Sequence, residues 1–302
     1  MTKSPAQAES TTRRSGLVRD YVALTKPRII ELLLTTTVPT VILAAGGWPS
    51  LRVLASCIIF GYLASGSANA FNMVLDRDID AVMSRTKNRP IVRGTISPRA
   101  ATVFATVMGF VSIAGFAIFT TWLAAALALA AILLYVVFYT MLLKRRTDQN
   151  IVWGGVAGCM PVLIAWAAQT GTLAWPPIIL FLIIFFWTPP HYWPLSMKFA
   201  KDYRAAGVPM LGAIAENGTV ARHVLAYGIA TVACSIALIP VANMGLVYLA
   251  AALVTGGWFL WLCVDLLRHP AKKGQAMRVF HGSIYYLAAV FIAVAVDPFL
   301  PL

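Results

Sequence analysis

The sequence predicts an all-α integral membrane protein with nine transmembrane helices. Three observations predict this class: the composition, the lengths of the apolar runs and the distribution of the basic residues. Of the 302 residues, 60% are hydrophobic and only 12% are charged, whereas an ordinary soluble domain is about 25% charged. The mean hydropathy is +0.78. So few charged residues could not cover a soluble surface, and the apolar surface is expected to face lipid.

Nine apolar runs approach or reach the length of about 20 residues that a helix needs to cross a bilayer. In chain order, the predicted spans are 29–46, 51–75, 101–119, 122–143, 151–169, 176–197, 222–240, 244–264 and 283–299. Residues 1–28 are predicted to form a polar N-terminal tail, and residues 29–302 a single transmembrane domain. The first span is expected to act as its own insertion signal, because the tail contains no apolar core of a signal peptide.

The basic residues predict the orientation. Of the 24 Lys and Arg residues, all except Arg52 lie before the first span or in the loops after the second, fourth, sixth and eighth spans. The positive-inside rule then places the N-terminus in the cytoplasm and the C-terminus outside. The net charge of +13 follows from this topology, so no nucleic-acid partner is expected. The absence of a convincing transit peptide favours a bacterial inner membrane.

An acidic motif follows the second span. Asn72, Asp76 and Asp80 are each four residues apart, so on a helix they would form a stripe about 12 Å long. Mg²⁺ prefers oxygen ligands and commonly binds through one or two carboxylates plus substrate phosphates. The stripe therefore predicts an Mg²⁺ site, although it could merely terminate a helix. Asp78 lies off the stripe and is expected to pair with Arg77 or Arg85.

Basic side chains follow the motif in the predicted active-site loop 76–100. Arg85, Lys87 and Arg89 could stabilise a diphosphate leaving group, or could only set topology and meet anionic lipid. A second loop, 198–221, faces the same compartment and contains Asp202 between cations. Asp202 could be a further Mg²⁺ ligand with Lys198 and Arg204 binding diphosphate, or it could form a local salt bridge.

The sixth predicted span ends in an aromatic segment with three prolines, which is expected to interrupt the helix where it lines a cavity. The segment contains Trp187, His191 and Tyr192. His191 could be a buried core histidine, or it could bind a cofactor-sized substrate. The clustered aromatic residues favour the wall of a binding pocket over a membrane-interface belt.

At these residues the chain resembles the intramembrane prenyltransferase superfamily, whose members carry an N-x3-D-x3-D type motif. Within it, the chain is similar to the protohaem IX farnesyltransferases, the haem O synthase branch. The stretches that carry the resemblance are 21–28, 72–90, 139–150, 187–196 and 202–211. The acidic motif indicates only the superfamily, whereas Thr188-Pro-Pro-His191 and Ala206-Gly-Val-Pro209 narrow it to the haem branch. Asp202 stands nearly alone where many members have two acidic residues.

The resemblance implies a helical bundle around a central cavity and the transfer of a farnesyl group from farnesyl diphosphate to a vinyl group of haem b. The product would be haem O, used by haem–copper oxidases. Asp76, Asp80 and Arg85 would be catalytic, with Mg²⁺ as cofactor held by Asn72, Asp76, Asp80 and Asp202. Diphosphate would be bound by Arg85, Lys87, Arg89, Lys198 and Arg204. Haem b would be bound by His191, Trp187 and Tyr192. Haem A synthase or oxidase assembly factors are candidate protein partners.

Two other functions remain open at this point. A prenyltransferase acting on a quinone precursor would share the Mg²⁺–diphosphate site and differ in its acceptor pocket. A transporter would place charged residues and helix breaks near the membrane midplane. The acidic residues cluster at one membrane face instead, which disfavours transport.

Overall fold

The computed structural model describes residues 16–300, without the side chains of Ile29, Glu31 and Leu32. The described residues are mostly helical and contain no strand. Residues 1–15 of the predicted tail lie outside the described residues, and residues 16–25 are helical. The main helices are α1 (Pro27–Ala45), α2 (Leu51–Leu75), α3 (Arg77–Val82), α4 (Pro98–Phe119), α5 (Trp122–Leu133), α6 (Asn150–Thr170), α7 (Trp175–Lys198), α8 (Ala200–Ala205), α9 (Leu211–Ile214), α10 (Asn217–Ala242), α11 (Leu246–Arg268) and α12 (Gln275–Val296).

Helix α5 continues without a break as a π-helix over Leu134–Leu143. Within residues 16–300, eight helical segments are long and apolar enough to cross a membrane, counting α5 and the π-helix together. At the predicted first span, α1 contributes a shorter apolar stretch, Leu33–Ala45. The membrane class is therefore confirmed, and the count of nine spans and the positions of the termini stay predictions.

The helix ends follow local sequence signals. Ser50, Ser97 and Thr121 cap α2, α4 and α5, each accepting a hydrogen bond from a backbone N–H three residues later. Gly46 ends α1 in the left-handed conformation, with φ of 63°, which glycine adopts without steric cost. The observed ends lie within a few residues of most predicted spans. Helix α12 begins eight residues before its predicted span, so the basic loop between α11 and α12 is short, covering residues 269–274.

The long helices form a closed ring. Each packs against the next in the order α1, α2, α4, α5, α6, α7, α10, α11 and α12, and α12 packs back against α1. Small residues allow close approach: a Cβ atom at Gly66 would meet Met108 of α4 at 2.5 Å. A cavity lies inside the bundle, as the resemblance implied, and it is lined mainly by α1, α2, α6, α7 and the π-helix and by no residue of α10 or α11.

The prolines of the sixth predicted span do not interrupt it, which corrects the sequence-based expectation. Helix α7 runs unbroken from Trp175 to Lys198 with Pro189, Pro190 and Pro194 inside it. Proline fixes φ near −65°, a value that a helix accommodates. All three prolines are buried among neighbouring helices, and that packing supports a segment lacking three backbone donors.

Candidate active site

The acidic motif lies where α2 meets α3, at the mouth of the cavity. The i→i−4 backbone hydrogen bonds continue through the junction, from Asp76 N to Asn72 O at 2.9 Å and from Asp80 N to Asp76 O at 2.8 Å. The chain bends at Asp76, with φ of −93° and ψ of 8°. The predicted stripe is therefore formed by two helices that meet at its central residue, and all three side chains are buried.

Each polar side chain of the motif contacts a basic partner. The ammonium of Lys26 donates to Asn72 Oδ1 at 2.7 Å, and Arg89 donates to Asp80 Oδ2 at 2.5 Å. Lys144 donates to Asp76 Oδ2 in a short ion pair. These contacts bring together three segments that are far apart in sequence. They also concentrate positive charge at the mouth of the cavity.

Lys26 is partly buried next to this cluster, outside the membrane-spanning segments. Burial holds its pKa well below the usual value for lysine, and the positive charges of Arg89 and Lys144 lower it further. From the sequence, Lys26 and Lys144 were expected only to contribute to the topology. The available signal was their position, directly before α1 for Lys26 and directly after the π-helix for Lys144.

The cavity has a volume of about 290 Å³ and is charged at one end only. Its lining contains four basic side chains, Lys26, Arg85, Arg89 and Lys144, and one carboxylate, Asp80. Asp76 is fully buried behind them. The remainder is mostly apolar and aromatic and includes Ile30, Leu33, Ala64, Phe116, Ile132, Tyr135, Tyr139, Ile164, Ile184, Trp187, Tyr192 and Leu287. Such a cavity suits a ligand with an anionic head and an apolar tail.

The π-helix forms one wall next to the acidic motif. Its i→i−5 spacing is seen in the hydrogen bond from Lys144 N to Tyr139 O at 2.9 Å. Thr140 accepts from Asn72 Nδ2 at 3.1 Å. Gly154 of α6 lets the Tyr139 ring lie against the backbone, where a Cβ atom would collide with that ring. π-Helical turns are rare and are often found at functional sites.

The predicted diphosphate-binding residues separate into two groups. Arg85 and Arg89 line the cavity. Lys87, Lys198 and Arg204 are exposed and are not among the lining residues. Lys198 lies over the ring of Phe199 at 5.5 Å, and Arg204 donates to the carbonyl of Ala200 at 3.3 Å. A role for these three in binding diphosphate stays a prediction.

The two predicted active-site loops meet over the mouth of the cavity, as the sequence indicated. Ser84 donates to Asp202 Oδ2 at 2.5 Å. The pKa of Tyr203, the residue after Asp202, is raised mainly by burial, and the positive charge of Arg85 opposes that shift. In this arrangement the partner of Asp202 is Ser84. Within residues 16–300, no three His, Cys, Asp or Glu side chains converge as a metal-binding group. The metal role of Asp202 stays a prediction.

Asp78 pairs with a residue that the sequence analysis did not consider. Its partner is Arg145, which donates to both carboxylate oxygens at 2.6 and 2.7 Å, rather than Arg77 or Arg85. Arg77 donates to the carbonyl of Val74 instead. The turn after the π-helix brings Arg145 beside α3. The hydrogen bond from Arg145 lowers the pKa of Asp78 to about 2, so the carboxylate remains ionised at physiological pH.

His191 is buried between two aromatic rings at the junction of α7 and α12. Its ring stacks on Trp187 with centroids 4.3 Å apart and on Phe280 with centroids 4.5 Å apart. Tyr192 meets it edge-on. Trp187 and Tyr192 line the cavity, whereas His191 is not among its lining residues. The structure thus brings together the three predicted haem-binding residues, with the histidine in a second layer.

The site's architecture and the comparisons with known proteins agree. Residues 32–293 match the UbiA prenyltransferase family. The chain belongs to this family. It is 58% identical over 289 residues to the protohaem IX farnesyltransferase of Leifsonia xyli subsp. xyli, covering 95% of this chain and 94% of that one. It is 57% identical to the enzyme of the same name from Clavibacter michiganensis subsp. michiganensis, covering 93% and 92%. The resemblance found in the sequence, including the haem branch, is confirmed.

Solved structures show the same fold at low sequence identity. A UbiA homologue from Aeropyrum pernix superposes with a TM-score of 0.69 at 18% identity, covering 90% of this chain and 96% of that one. A UbiA homologue from Archaeoglobus fulgidus, bound to GPP and Mg²⁺, superposes with a TM-score of 0.61 at 15% identity, covering 91% and 99%. The fold is thus that of an intramembrane prenyltransferase.

Proposed function

We propose that this protein transfers the farnesyl group of farnesyl diphosphate to a vinyl group of haem b, giving haem O and diphosphate. The observation that carries the proposal is the cavity, in which four basic side chains and one carboxylate stand at one end of an otherwise mostly apolar space. A prenyl diphosphate has this distribution of charge and apolar surface. The acceptor is supported by the relatives that are 57–58% identical and named for this reaction.

The residues at the mouth fit an Mg²⁺ ion. Asp76 Oδ1 is buried and accepts no hydrogen bond within the described part of the chain, and such an oxygen is costly unless a cation compensates it. Two carboxylates and an amide, from Asp76, Asp80 and Asn72, are the kind of donor set with which Mg²⁺ binds substrate phosphates. These three residues would hold the ion. When bound, Mg²⁺ withdraws electron density from the diphosphate.

The chain's own residues supply the rest of the mechanism. Arg85, Arg89 and Lys144 would bind the diphosphate oxygens and stabilise the negative charge that grows as the allylic C–O bond breaks. That bond's electron pair leaves with diphosphate. The apolar walls exclude water from the farnesyl cation, and the faces of Tyr135 and Tyr139 stabilise its positive charge. A carboxylate and four cations placed around one mouth thus bind and activate the donor.

The acceptor then reacts with this cation. The π electrons of the haem vinyl group form the new C–C bond, and the resulting haem-side cation takes up water and loses a proton to give the hydroxyethylfarnesyl group. Trp187 and Tyr192 would bind the haem at the cavity wall, with His191 behind them. The predicted topology supports a reaction on the cytoplasmic side of a bacterial inner membrane.

The test is a transferase assay on the purified full-length protein in detergent, with haem b, farnesyl diphosphate and either Mg²⁺ or EDTA. We expect haem O, identified by chromatography and mass spectrometry, with Mg²⁺ and none with EDTA, and recovery when excess Mg²⁺ is added back. Activity that is indifferent to EDTA would contradict the metal assignment. Prenylation of a quinone precursor with haem unchanged would overturn the acceptor. An absence of transfer to any acceptor, from folded protein that binds haem, would favour transport.

A further inference from the structure

The cavity extends from the charged mouth deep into the helical bundle. Helix α2 lines it along one face, from Asn72 at the mouth to Cys57 near the other end of the helix. The interval from 57 to 72 corresponds to about 22 Å of helix axis. An extended farnesyl chain with its diphosphate is of comparable length. The depth of the cavity therefore suits a prenyl diphosphate bound along α2.

Small side chains on two helices form walls of this deep part of the cavity. On α2 they are Gly61, Ala64 and Ala68, and on α6 they are Ala157 and Gly158. Protein interiors are otherwise packed closely, so a row of small residues on two facing helices leaves space between them. A channel thus continues from the mouth into the bundle.

Three residues close the channel at the end opposite the mouth. Cys57, Phe116 and Ile164 line the cavity and also belong to a buried apolar cluster beneath it. Val41 and Val53 belong to the same cluster and do not line the cavity. The bundle is therefore packed below Cys57, Phe116 and Ile164, which form the floor of the channel.

Phe116 contributes the largest side chain of the floor. It is fully buried near the end of α4, at Phe119. Among the residues of α4, all of which the structure describes, only Phe116 lines the cavity. The ring of Phe60 packs edge-on against it, with centroids 5.8 Å apart. Packing thus supports the ring of Phe116 in its place at the floor.

The residues assigned to the acceptor lie in another part of the cavity. Helix α7 lines it between Ile184 and Tyr192, toward the helix end at Lys198 that adjoins the mouth. Trp187 and Tyr192 belong to this stretch. The floor residues belong to α2, α4 and α6 instead. The deep channel is therefore available to the hydrocarbon tail of the donor.

We propose that Phe116, together with Cys57 and Ile164, determines the length of the prenyl chain that this protein accepts. The inference rests on the proposed prenyl diphosphate donor and does not depend on the acceptor. A chain one isoprene unit longer than farnesyl would press against the Phe116 ring, and overfilling a packed site is unfavourable. A chain one unit shorter would not reach the floor and would bury less apolar surface.

The test is a competition among geranyl, farnesyl and geranylgeranyl diphosphate at equal concentrations, with the purified full-length protein in detergent. The masses of the products show which chain was transferred, and we expect wild-type protein to favour farnesyl. Phe116→Leu and Phe116→Ala open the floor and should shift the product ratio toward geranylgeranyl at least about tenfold, the discrimination that a hydrophobic pocket reaches for one methylene group. Cys57→Leu adds bulk at the floor and should shift the ratio toward geranyl.

The matched control is Phe259→Leu. Phe259 is also fully buried and stacks on Tyr286 with centroids 5.1 Å apart, and it is not among the residues that line the cavity. Its replacement should leave the product ratio at the wild-type value. An unchanged ratio in folded Phe116→Leu and Cys57→Leu proteins would overturn the proposal. If Phe116→Ala does not fold, the two milder variants still decide it.

The outcomes separate the floor from the proposed function. The added mass identifies the chain whether haem b or another acceptor receives it, so a wrong acceptor leaves the test intact. If wild-type protein transfers to no acceptor, the affinities of the three diphosphates for the same variants are measured by titration. A shift in affinity toward the longer chain in Phe116→Leu would support the floor while the proposed transfer fails. Equal affinities for the three chains in every variant would overturn the floor as well.

Discussion

Asp76 illustrates how a single residue combines structural and functional demands. Its side chain is fully buried, and Lys144 forms an ion pair with one of its oxygens. The other oxygen accepts no hydrogen bond within residues 16–300, and its nearest cation, Arg145, is 3.9 Å away. A carboxylate oxygen in this condition destabilises the protein unless a cation binds it. The unpartnered oxygen of Asp76 is therefore the strongest structural support for an Mg²⁺ site at this position.

The substitution Asp76→Asn tests this residue. It removes the negative charge while nearly preserving size, and we expect turnover to fall by at least about 100-fold, the order seen when one electrostatic contact to a developing charge is removed. The matched control is Asp78→Asn, since Asp78 lies two residues away, is exposed and is not among the residues that line the cavity. Thermal stability and haem binding, measured on both variants, show whether each variant is folded. Unimpaired turnover in Asp76→Asn would reject the assignment of Asp76 as a metal ligand.

Two pairs of elements meet over the cavity. Each consists of a long helix followed by a six-residue helix, α2 with α3 and α7 with α8. Ser84 of the first loop and Asp202 of α8 join them by a hydrogen bond, and the positive charge of Arg85 acts on Tyr203 beside it. Because these contacts cross the mouth, they hold the two loops together where a diphosphate would enter. A contact between loops at the mouth is expected to affect how long the substrate stays bound, and not the step in which the C–O bond breaks.

Removing the loop contact distinguishes it from a metal ligand. We expect Ser84→Ala and Asp202→Asn each to raise the KM for farnesyl diphosphate about fivefold, as loss of roughly 1 kcal/mol from one exposed hydrogen bond would do. The double variant should be no worse than either single one, because both remove the same interaction. Steady-state kinetics across a range of Mg²⁺ concentrations is the measurement. A raised Mg²⁺ requirement in Asp202→Asn alone would instead assign that carboxylate to the metal.

The whole molecule is polarised across the membrane. The basic residues of the described loops and the cavity mouth lie at the same ends of the helices, whereas Arg52 lies at the opposite end, at the start of α2. The charge that is predicted to keep those loops in the cytoplasm is thus the charge that would bind the anionic substrate. The same basic residues thus set the predicted orientation of the chain and would bind the substrate, so the predicted active site lies on the basic side of the membrane.

Cysteine labelling in intact cells tests this orientation. The four native cysteines lie inside long helices, and three are buried, so a membrane-impermeant maleimide should react mainly with an introduced cysteine. We expect Arg52→Cys to be labelled in cells whose outer layer is permeable, and Lys272→Cys only after the inner membrane is opened. Both residues are exposed. Turnover of Arg52→Cys should equal that of wild type. The reverse labelling pattern would invert the topology.

The sequence by itself determined the membrane class, most helix ends and the acidic motif. Hydropathy over some 20 residues is a local property, so spans such as 51–75 and 122–143 coincide with the helical segments seen in the structure. The four-residue spacing of Asn72, Asp76 and Asp80 is likewise local, and the backbone hydrogen bonds bear it out despite the bend at Asp76. The motifs were also sufficient to identify the family, because they occur together along nearly the whole chain.

The tertiary structure alone decided the partners of these residues. Lys26 reaches Asn72 across 46 residues, Lys144 reaches Asp76 across 68, and Ser283 reaches His191 across 92. Such contacts depend on which helices become neighbours in the ring, which no local spacing encodes. The unbroken course of α7 through three prolines was also decided there, since packing against neighbouring helices outweighs the local preference of proline to interrupt a helix.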